Sequence, residues 1–255
     1  MSILDTFRLD SKVALVTGAS RGLGQALAVG LAEAGADVAA ISRSACDKTR
    51  QQVEATGRQF VHVPVDLATV TPADLEAVVA DVVATRGRLD ILVNNAGTTR
   101  RAPALKLTED DWDVVLQVNL KAVFFLSQAA ARHMAGQGGG KIIHIASMLS
   151  YQGGILVSPY AASKSGVAGL THALANEWAA HHINVNAIAP GYMLTEMTAP
   201  LAADPDRNPA ILARIPAGRW GTPDDLKGLV VFLASAAADY MHGTIVPVDG
   251  GWLSR

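Results

Sequence analysis

Cysteine is almost missing from this chain. Cys46 is the single thiol in 255 residues, which excludes an internal disulfide and suits a reducing compartment. Charge is also scarce. Charged side chains make up 17% of the sequence and the formal net charge is -2, so the chain lacks the basic excess that nucleic-acid binding usually shows. No stretch of about 18 residues is apolar enough to cross a bilayer, apart from alanine-rich helical patterns interrupted by polar residues. The start, "MSILDTFRLDSK", mixes acids and bases around a short apolar run, unlike a signal peptide. Metal-ligand spacing is missing too: the adjacent pair His181-His182 diverges, and no His, Cys and carboxylate set repeats at ligand intervals. These absences lead us to expect a cytoplasmic protein with no bound metal, no nucleic-acid partner and no membrane partner.

What is present is apolar sequence in a regular rhythm. Half of the residues are hydrophobic, and the length suffices for one large core. "KVALVTG" (12–18) reads as a strand buried on both faces. "ADVAAIS", "QFVHVPVD", "LDILVNN", "GKIIHIAS", "INVNAIAP" and "TIVPVDGG" repeat the signal. Helical patterns over 22–35, 72–86, 108–135 and 158–181 lie between them. Seven strands alternating with helices predict a single domain over 1–255, a doubly wound α/β fold with a seven-stranded parallel sheet covered on both faces. Residues 190–223 depart from the rhythm and hold six of the eleven prolines. Such a segment is expected to be a substrate lid or loop within the domain.

The first strand runs into "TGASRGLG", with Gly18, Gly22 and Gly24 in the turn before a helix that has no capping side chain. Glycines admit a pyrophosphate to the backbone, and a helix start offers N–H groups and a positive dipole end to phosphates. The spacing differs from the usual G-x-G-x-x-G pattern. "NNAG" (94–97) ends a central strand at the edge where doubly wound sheets bind ligands, and it brings hydrogen-bonding amides without charge. "YAASK" places Tyr160 and Lys164 on one helix face, 13 residues after Ser147 at the end of another strand. An ammonium near a phenol favours the phenolate, which makes a tyrosine usable as a general acid–base. Cys46 reads as an incidental thiol, and "TEDDWD" as a helix start complementing the dipole rather than an acid–base cluster.

With Asn119 in "VNL" and "PG" at 190–191, these motifs stand in the order of the short-chain dehydrogenases/reductases, which the chain resembles over essentially its whole length. The resemblance implies a catalytic tetrad of Asn119, Ser147, Tyr160 and Lys164. Tyr160 would pass the proton, Ser147 would hold the reacting oxygen, and Lys164 would hold the nicotinamide ribose and depress the tyrosine pKa. Asn119 would support a water chain to that lysine. It also implies a cofactor site of Gly18, Ser20, Arg21, Gly22, Leu23, Gly24, Ser42, Arg43, Asp66, Leu67, Asn94, Ala96, Gly97, Tyr160, Lys164, Pro190, Gly191 and Thr195. A homotetramer is implied as well, with the ending "VDGGWLSR" near a neighbouring subunit.

The variable stretches "GKIIHIASMLSYQGG", "ANEWAAHHINVNAIAPGYM" and "RIPAGRWG" resemble one subgroup of that family, the 2-dehydro-3-deoxy-D-gluconate 5-dehydrogenases, also described as 2-deoxy-D-gluconate 3-dehydrogenases. The expected activity is therefore hydride transfer between a nicotinamide and a keto or hydroxy sugar acid. Gluconate 5-dehydrogenase and 3-oxoacyl thioester reductase are alternatives, and a nucleotide-sensing regulator is the non-enzymatic one. Ser147, Gln152 and Tyr160 are expected at the substrate, with Arg101 on its carboxylate and Arg219 as the other candidate. His144, where the subgroup more often has asparagine, is assigned no chemistry. The cofactor signals diverge: Ser42-Arg43 stands where NAD enzymes commonly carry an acid and favours NADP, whereas the subgroup resemblance favours NAD.

Overall fold

The structure is a computed structural model and describes residues 2–255. Its elements follow the sequence rhythm: β1 Val13–Thr17, α1 Gly22–Glu33, β2 Asp37–Ser42, α2 Asp47–Glu54, β3 Phe60–Pro64, α3 Pro72–Arg86 and β4 Ile91–Asn94. Then come α4 Glu109–Leu116, a π-helical turn Gln117–Lys121, α5 Ala122–Gln137, β5 Gly140–Ile145, α6 Ser158–Trp178 and β6 Ile183–Pro190. The chain closes with α7 Ala199–Ala202, α8 Arg207–Leu212, α9 Lys227–Ala234 and β7 Ile245–Val248. The seven strands form one parallel sheet in the order β3-β2-β1-β4-β5-β6-β7.

Strand parity explains why the apolar runs are continuous rather than alternating. In β1, Ala14 and Val16 join a core with Leu27 and Leu31 of α1 and Val230 of α9. Val13 and Leu15 point the other way, into a core with Leu75 and Val79 of α3 and Leu126 of α5. Both faces of the sheet are dry, so both sets of side chains must be apolar.

The order also fixes the ligand edge. The chain builds outward from β1 to β3, then returns so that β4 pairs with the other side of β1. Ligands of such sheets bind where the direction reverses, beyond the carboxyl ends of these two strands. The glycine turn leaves β1 there, and "NNAG" leaves β4.

Three features departed from the expected elements. The polar α2 and the short α9 lay outside the four helical patterns, and 108–135 is not one regular helix. It holds a π-helical turn centred on Asn119, and a single residue widens the helix just where a buried amide must face inward. The composite helix Glu109–Gln137 is long and apolar enough to cross a membrane, and half of its most apolar window is buried in the fold.

The stretch 190–223 is an excursion tied at its two ends. Leu194 N–H donates to Gly221 O at 2.8 Å and Gly221 N–H to Tyr192 O at 2.9 Å. Tyr192 then packs edge-on against Trp220 and Trp252, with centroids at 5.2 and 4.8 Å. The segment carries α7 and α8 between those ties.

Candidate active site

A cleft of about 700 Å³ opens at the β1–β4 switch point. Gly18 and Gly22 have φ of +68° and +58°, conformations that favour glycine. Gly24 has another reason to be glycine: a Cβ there would overlap Gly18 O and Asn95 Nδ2. Arg21, the residue before α1, makes no side-chain cap, so the first N–H groups of the helix remain for a ligand. A tight glycine wall beside uncapped N–H groups fits a dinucleotide pyrophosphate.

"NNAG" divides its labour in a way that differs from expectation. Asn94 turns inward, its Nδ2 donating to Ser127 Oγ at 2.9 Å, and it does not line the cleft. Asn95, which the resemblance did not single out, does line it. Asn95 Nδ2 donates to Thr17 O at 2.9 Å and Gly18 O at 3.3 Å, while the N–H groups of Asn95 and Ala96 donate to Thr17 Oγ1 at 3.0 and 2.9 Å. One side chain thus pins the end of β4 to the glycine turn. The doubled asparagine was the available signal, since only one of two consecutive strand residues can face the same side.

Most of the remaining cofactor candidates come together. Ser20, Arg21, Leu23, Arg43, Asp66, Leu67, Ala96, Gly97, Tyr160, Lys164 and Thr195 line the cleft with the glycines. Pro190 and Gly191 do not. Pro190 is buried at the end of β6, and a Cβ on Gly191 would press on the Asp249 backbone, so that glycine allows two chain segments to pass. Ser42 reaches the lining, but its hydroxyl is engaged internally: it contacts Ser44 O at 2.5 Å, Cys46 Sγ at 3.0 Å and His62 Nε2 at 3.0 Å. Arg43 is exposed and pairs with Asp66 at 3.6 Å. Ser44, another residue that sequence reasoning passed over, stands beside it in the lining.

The tetrad residues come from three elements. Ser147 caps the turn after β5, its Oγ accepting from Leu149 N–H at 3.1 Å, and its hydroxyl lies near enough to the Tyr160 phenol to act on its pKa. Lys164 is buried, with Nζ donating to Ile145 O at 2.5 Å and lying 5.6 Å from the Tyr160 ring centre. Asn119 is fully buried in its π-helical turn. Its amide is committed to Thr98, accepting from the N–H at 2.8 Å and donating to the carbonyl at 2.9 Å. A Cβ on Gly97 would lie 3.5 Å from Asn119 Oδ1 and 4.0 Å from Lys164 Nζ, so the two side chains flank that glycine.

The expected electrostatics are reversed at Tyr160. Burial raises its pKa, and the nearby Ser147 hydroxyl only opposes that. Burial also lowers the Lys164 pKa to about 8, which still leaves an ammonium at neutral pH beside a phenol whose own burial dominates. A protonated phenol at neutral pH is a proton donor.

The substrate candidates do not all converge. Arg100, not Arg101, lines the cleft, and it pairs with Asp111 at 3.4 Å. Arg101 is exposed and outside the lining, so the structure does not carry its assignment to the carboxylate. Arg219 is held by both oxygens of Asp225 at 2.7 and 2.8 Å. Gln152 faces the 190–223 segment, accepting from Arg214 Nη2 at 3.5 Å. His144 is buried between Ser127 Oγ and Thr171 Oγ1 at 3.2 and 3.0 Å. Burial lowers its pKa to about 3, so the ring is neutral.

Comparison with known proteins agrees with this geometry. The short chain dehydrogenase family model matches residues 12–206. The chain is 57% identical to the 2-dehydro-3-deoxy-D-gluconate 5-dehydrogenase of Escherichia coli (strain K12), covering 99% of this chain and 100% of the relative. It is 53% identical to the enzyme of that name from Bacillus subtilis (strain 168), covering 98% of each. Among solved structures, the gluconate 5-dehydrogenase from Burkholderia cenocepacia J2315, in complex with NADP and tartrate, superposes with a TM-score of 0.94 at 42% identity, covering 100% of both chains.

Proposed function

The chain belongs to the short-chain dehydrogenase family, and from that premise we propose that it exchanges hydride between a nicotinamide dinucleotide and a keto or hydroxy sugar acid. Relatives more than 50% identical over nearly the whole chain support 2-dehydro-3-deoxy-D-gluconate as the substrate. The observation that carries the reading is the meeting of Ser147, Tyr160 and Lys164 beside a glycine-walled cleft at the switch point.

When bound, the nicotinamide supplies or accepts the hydride; the chain supplies the proton and the geometry. In reduction, Tyr160 gives its proton to the substrate oxygen, and its raised pKa keeps that proton available. Ser147 accepts from Leu149 N–H and retains its O–H as a donor for that oxygen. Lys164, fixed on Ile145 O, would hold the ribose hydroxyls of the nicotinamide cofactor through its ammonium. Asn119 braces Thr98 and, with it, the loop beyond β4.

NADP(H) fits the adenosine end slightly better than NAD(H). No carboxylate stands at the end of β2, where Ser42 and Arg43 sit, and Arg43 is free to turn, because an exposed pair such as Arg43–Asp66 contributes only ~0–1 kcal/mol. We also assign residues 190–223 as the substrate lid, and place the enzyme in the cytoplasm as a homotetramer. The half-covered apolar helix Glu109–Gln137 offers a face for subunit contact.

A panel of keto and hydroxy sugar acids assayed with both nicotinamides tests the reading. Turnover concentrated on 2-dehydro-3-deoxy-D-gluconate or a close 5-keto acid is expected. Preference for a 3-oxoacyl thioester, or cofactor binding with no turnover on any sugar acid, would replace it with the thioester reductase or the nucleotide-sensing regulator.

A further inference from the structure

A sugar acid carries a carboxylate that the site must hold, yet the cations at the catalytic edge are nearly all engaged. Arg21 pairs with Glu196 at 2.7 Å, Arg43 with Asp66 at 3.6 Å, Arg100 with Asp111 at 3.4 Å and Arg219 with Asp225 at 2.7 Å. Lys164 is buried on a backbone carbonyl. Arg214 differs. Among the described residues Arg101, Arg207 and Arg214 have no carboxylate partner within the ion-pair distance, and of these three only Arg214 has its guanidinium over an aromatic ring, that of Trp252, 4.0 Å from the centroid.

The position is tied to Ser147 by a short chain of contacts. Met148, the next residue, packs in one buried cluster with Ile211, Ile215, Trp220 and Trp252. Gln152 folds back over the same turn, its N–H donating to Met148 O at 3.2 Å. Arg214 Nη2 reaches Gln152 Oε1 at 3.5 Å, the outer limit of a hydrogen bond. Arg255, at the end of the sequence, donates to Ala213 O at 3.1 Å and holds the neighbouring backbone. We infer that Arg214, stacked on Trp252 and steered by Gln152, is the specificity residue that binds the substrate carboxylate, on the lid side of Ser147 and Tyr160.

The chemistry suits that role. A guanidinium stacked on an indole keeps its planar fork free at the edge, and stacking limits the side-chain freedom lost when a ligand binds. Exchange of a weak bond to a neutral amide for a bidentate bond to a carboxylate strengthens the contact through charge. In a keto sugar acid the carboxylate lies several bonds from the reacting carbon. An anchor across the lid, outside the cofactor cleft, is therefore where that end of the molecule must go.

This inference rests on the sugar-acid reading, and the two can fail separately. The experiment compares kcat/KM for the keto sugar acid and for its neutral primary-alcohol analogue in the parent, Arg214→Met and Arg101→Met. The parent should prefer the acid. Arg214→Met should cut that preference by roughly 10- to 150-fold, the range for loss of a charge-assisted hydrogen bond, mostly through KM for the acid. Arg101→Met should keep the preference. Arg214→Gln replaces the methionine variant if the latter does not fold, and Arg214→Lys should recover part of the loss. A preference that survives in Arg214→Met, equal losses on both substrates, or a collapse in Arg101→Met instead overturns the role of Arg214 alone. A parent with no preference for the acid overturns both readings.

Discussion

Gly24→Ala tests how tightly the phosphate turn is built. In an open helix the change would stabilise, because alanine is favoured over glycine by about 1 kcal/mol. Here the new methyl would overlap Gly18 O, which is backbone, and Asn95 Nδ2. The side chain can swing away only by giving up its bonds to Thr17 O and Gly18 O. Each lost bond costs about 1 kcal/mol, and overpacking a rigid site costs about 1–3 kcal/mol. The penalties exceed the helix gain, leaving a net loss of roughly 2–4 kcal/mol. At about 2–4 °C per kcal/mol for a chain of this size, Tm should fall by several degrees. The dinucleotide Kd, read by fluorescence titration, should rise about tenfold or more as the turn shifts. Gly136 in α5 is the matched control, since a Cβ there meets nothing within 4 Å. Gly136→Ala should raise stability by about 0.4–1 kcal/mol. An unchanged Tm and Kd in Gly24→Ala would refute the tight-wall argument.

Other consequences are equally direct. Tyr160→Phe keeps the ring and removes the proton donor, so turnover should drop by about 10² or more while dinucleotide affinity largely survives; activity within a few fold of the parent removes Tyr160 from the chemistry. Because burial raises the Tyr160 pKa, the proton donor persists through neutral pH and is lost only above the raised value. Reduction should therefore stay flat and then fall with alkalinity, while alcohol oxidation, which needs the phenolate, should rise over the same interval; the opposite order contradicts the assignment. Arg43→Ala should weaken NADPH binding by about 1.5–3 kcal/mol, as expected for one charged hydrogen bond, with little change for NADH. Equal losses for the two cofactors would make Arg43 a solvated loop charge.

The sheet was legible because a strand buried on both faces is apolar in nearly every position, as in β1 and β4. In β5 and β6 the run is interrupted by Lys141, His144, Asn184 and Asn186, whose side chains are hydrogen-bonded within the fold. The glycine turn was legible for a related reason: Gly18 and Gly22 need positive φ and Gly24 needs space, so no other residue serves. Side-chain direction was not legible. Asn94 and Asn95 are identical letters, and only the pleat decides that Asn95 meets the cleft. Arg100 and Arg101 pose the same ambiguity in a loop, where no periodicity decides which one meets the cleft. The sign of the Tyr160 shift escaped because it depends on burial of both partners, which spacing alone does not give. Asn119 sits in a π-helical turn that no periodicity announced, and the role inferred for Arg214 depends on Trp252, 38 residues away along the chain.

The central claim is hydride transfer to a sugar acid, and isotope transfer tests it most directly. Reduced nicotinamide carrying deuterium at its transferable position is incubated with the enzyme and 2-dehydro-3-deoxy-D-gluconate, and the product is examined by NMR. The account predicts one deuterium on the newly formed carbinol carbon, appearing more slowly by a factor of about 10² or more in Tyr160→Phe. Cofactor oxidation without deuterium in the sugar acid, or label confined to solvent, would contradict it.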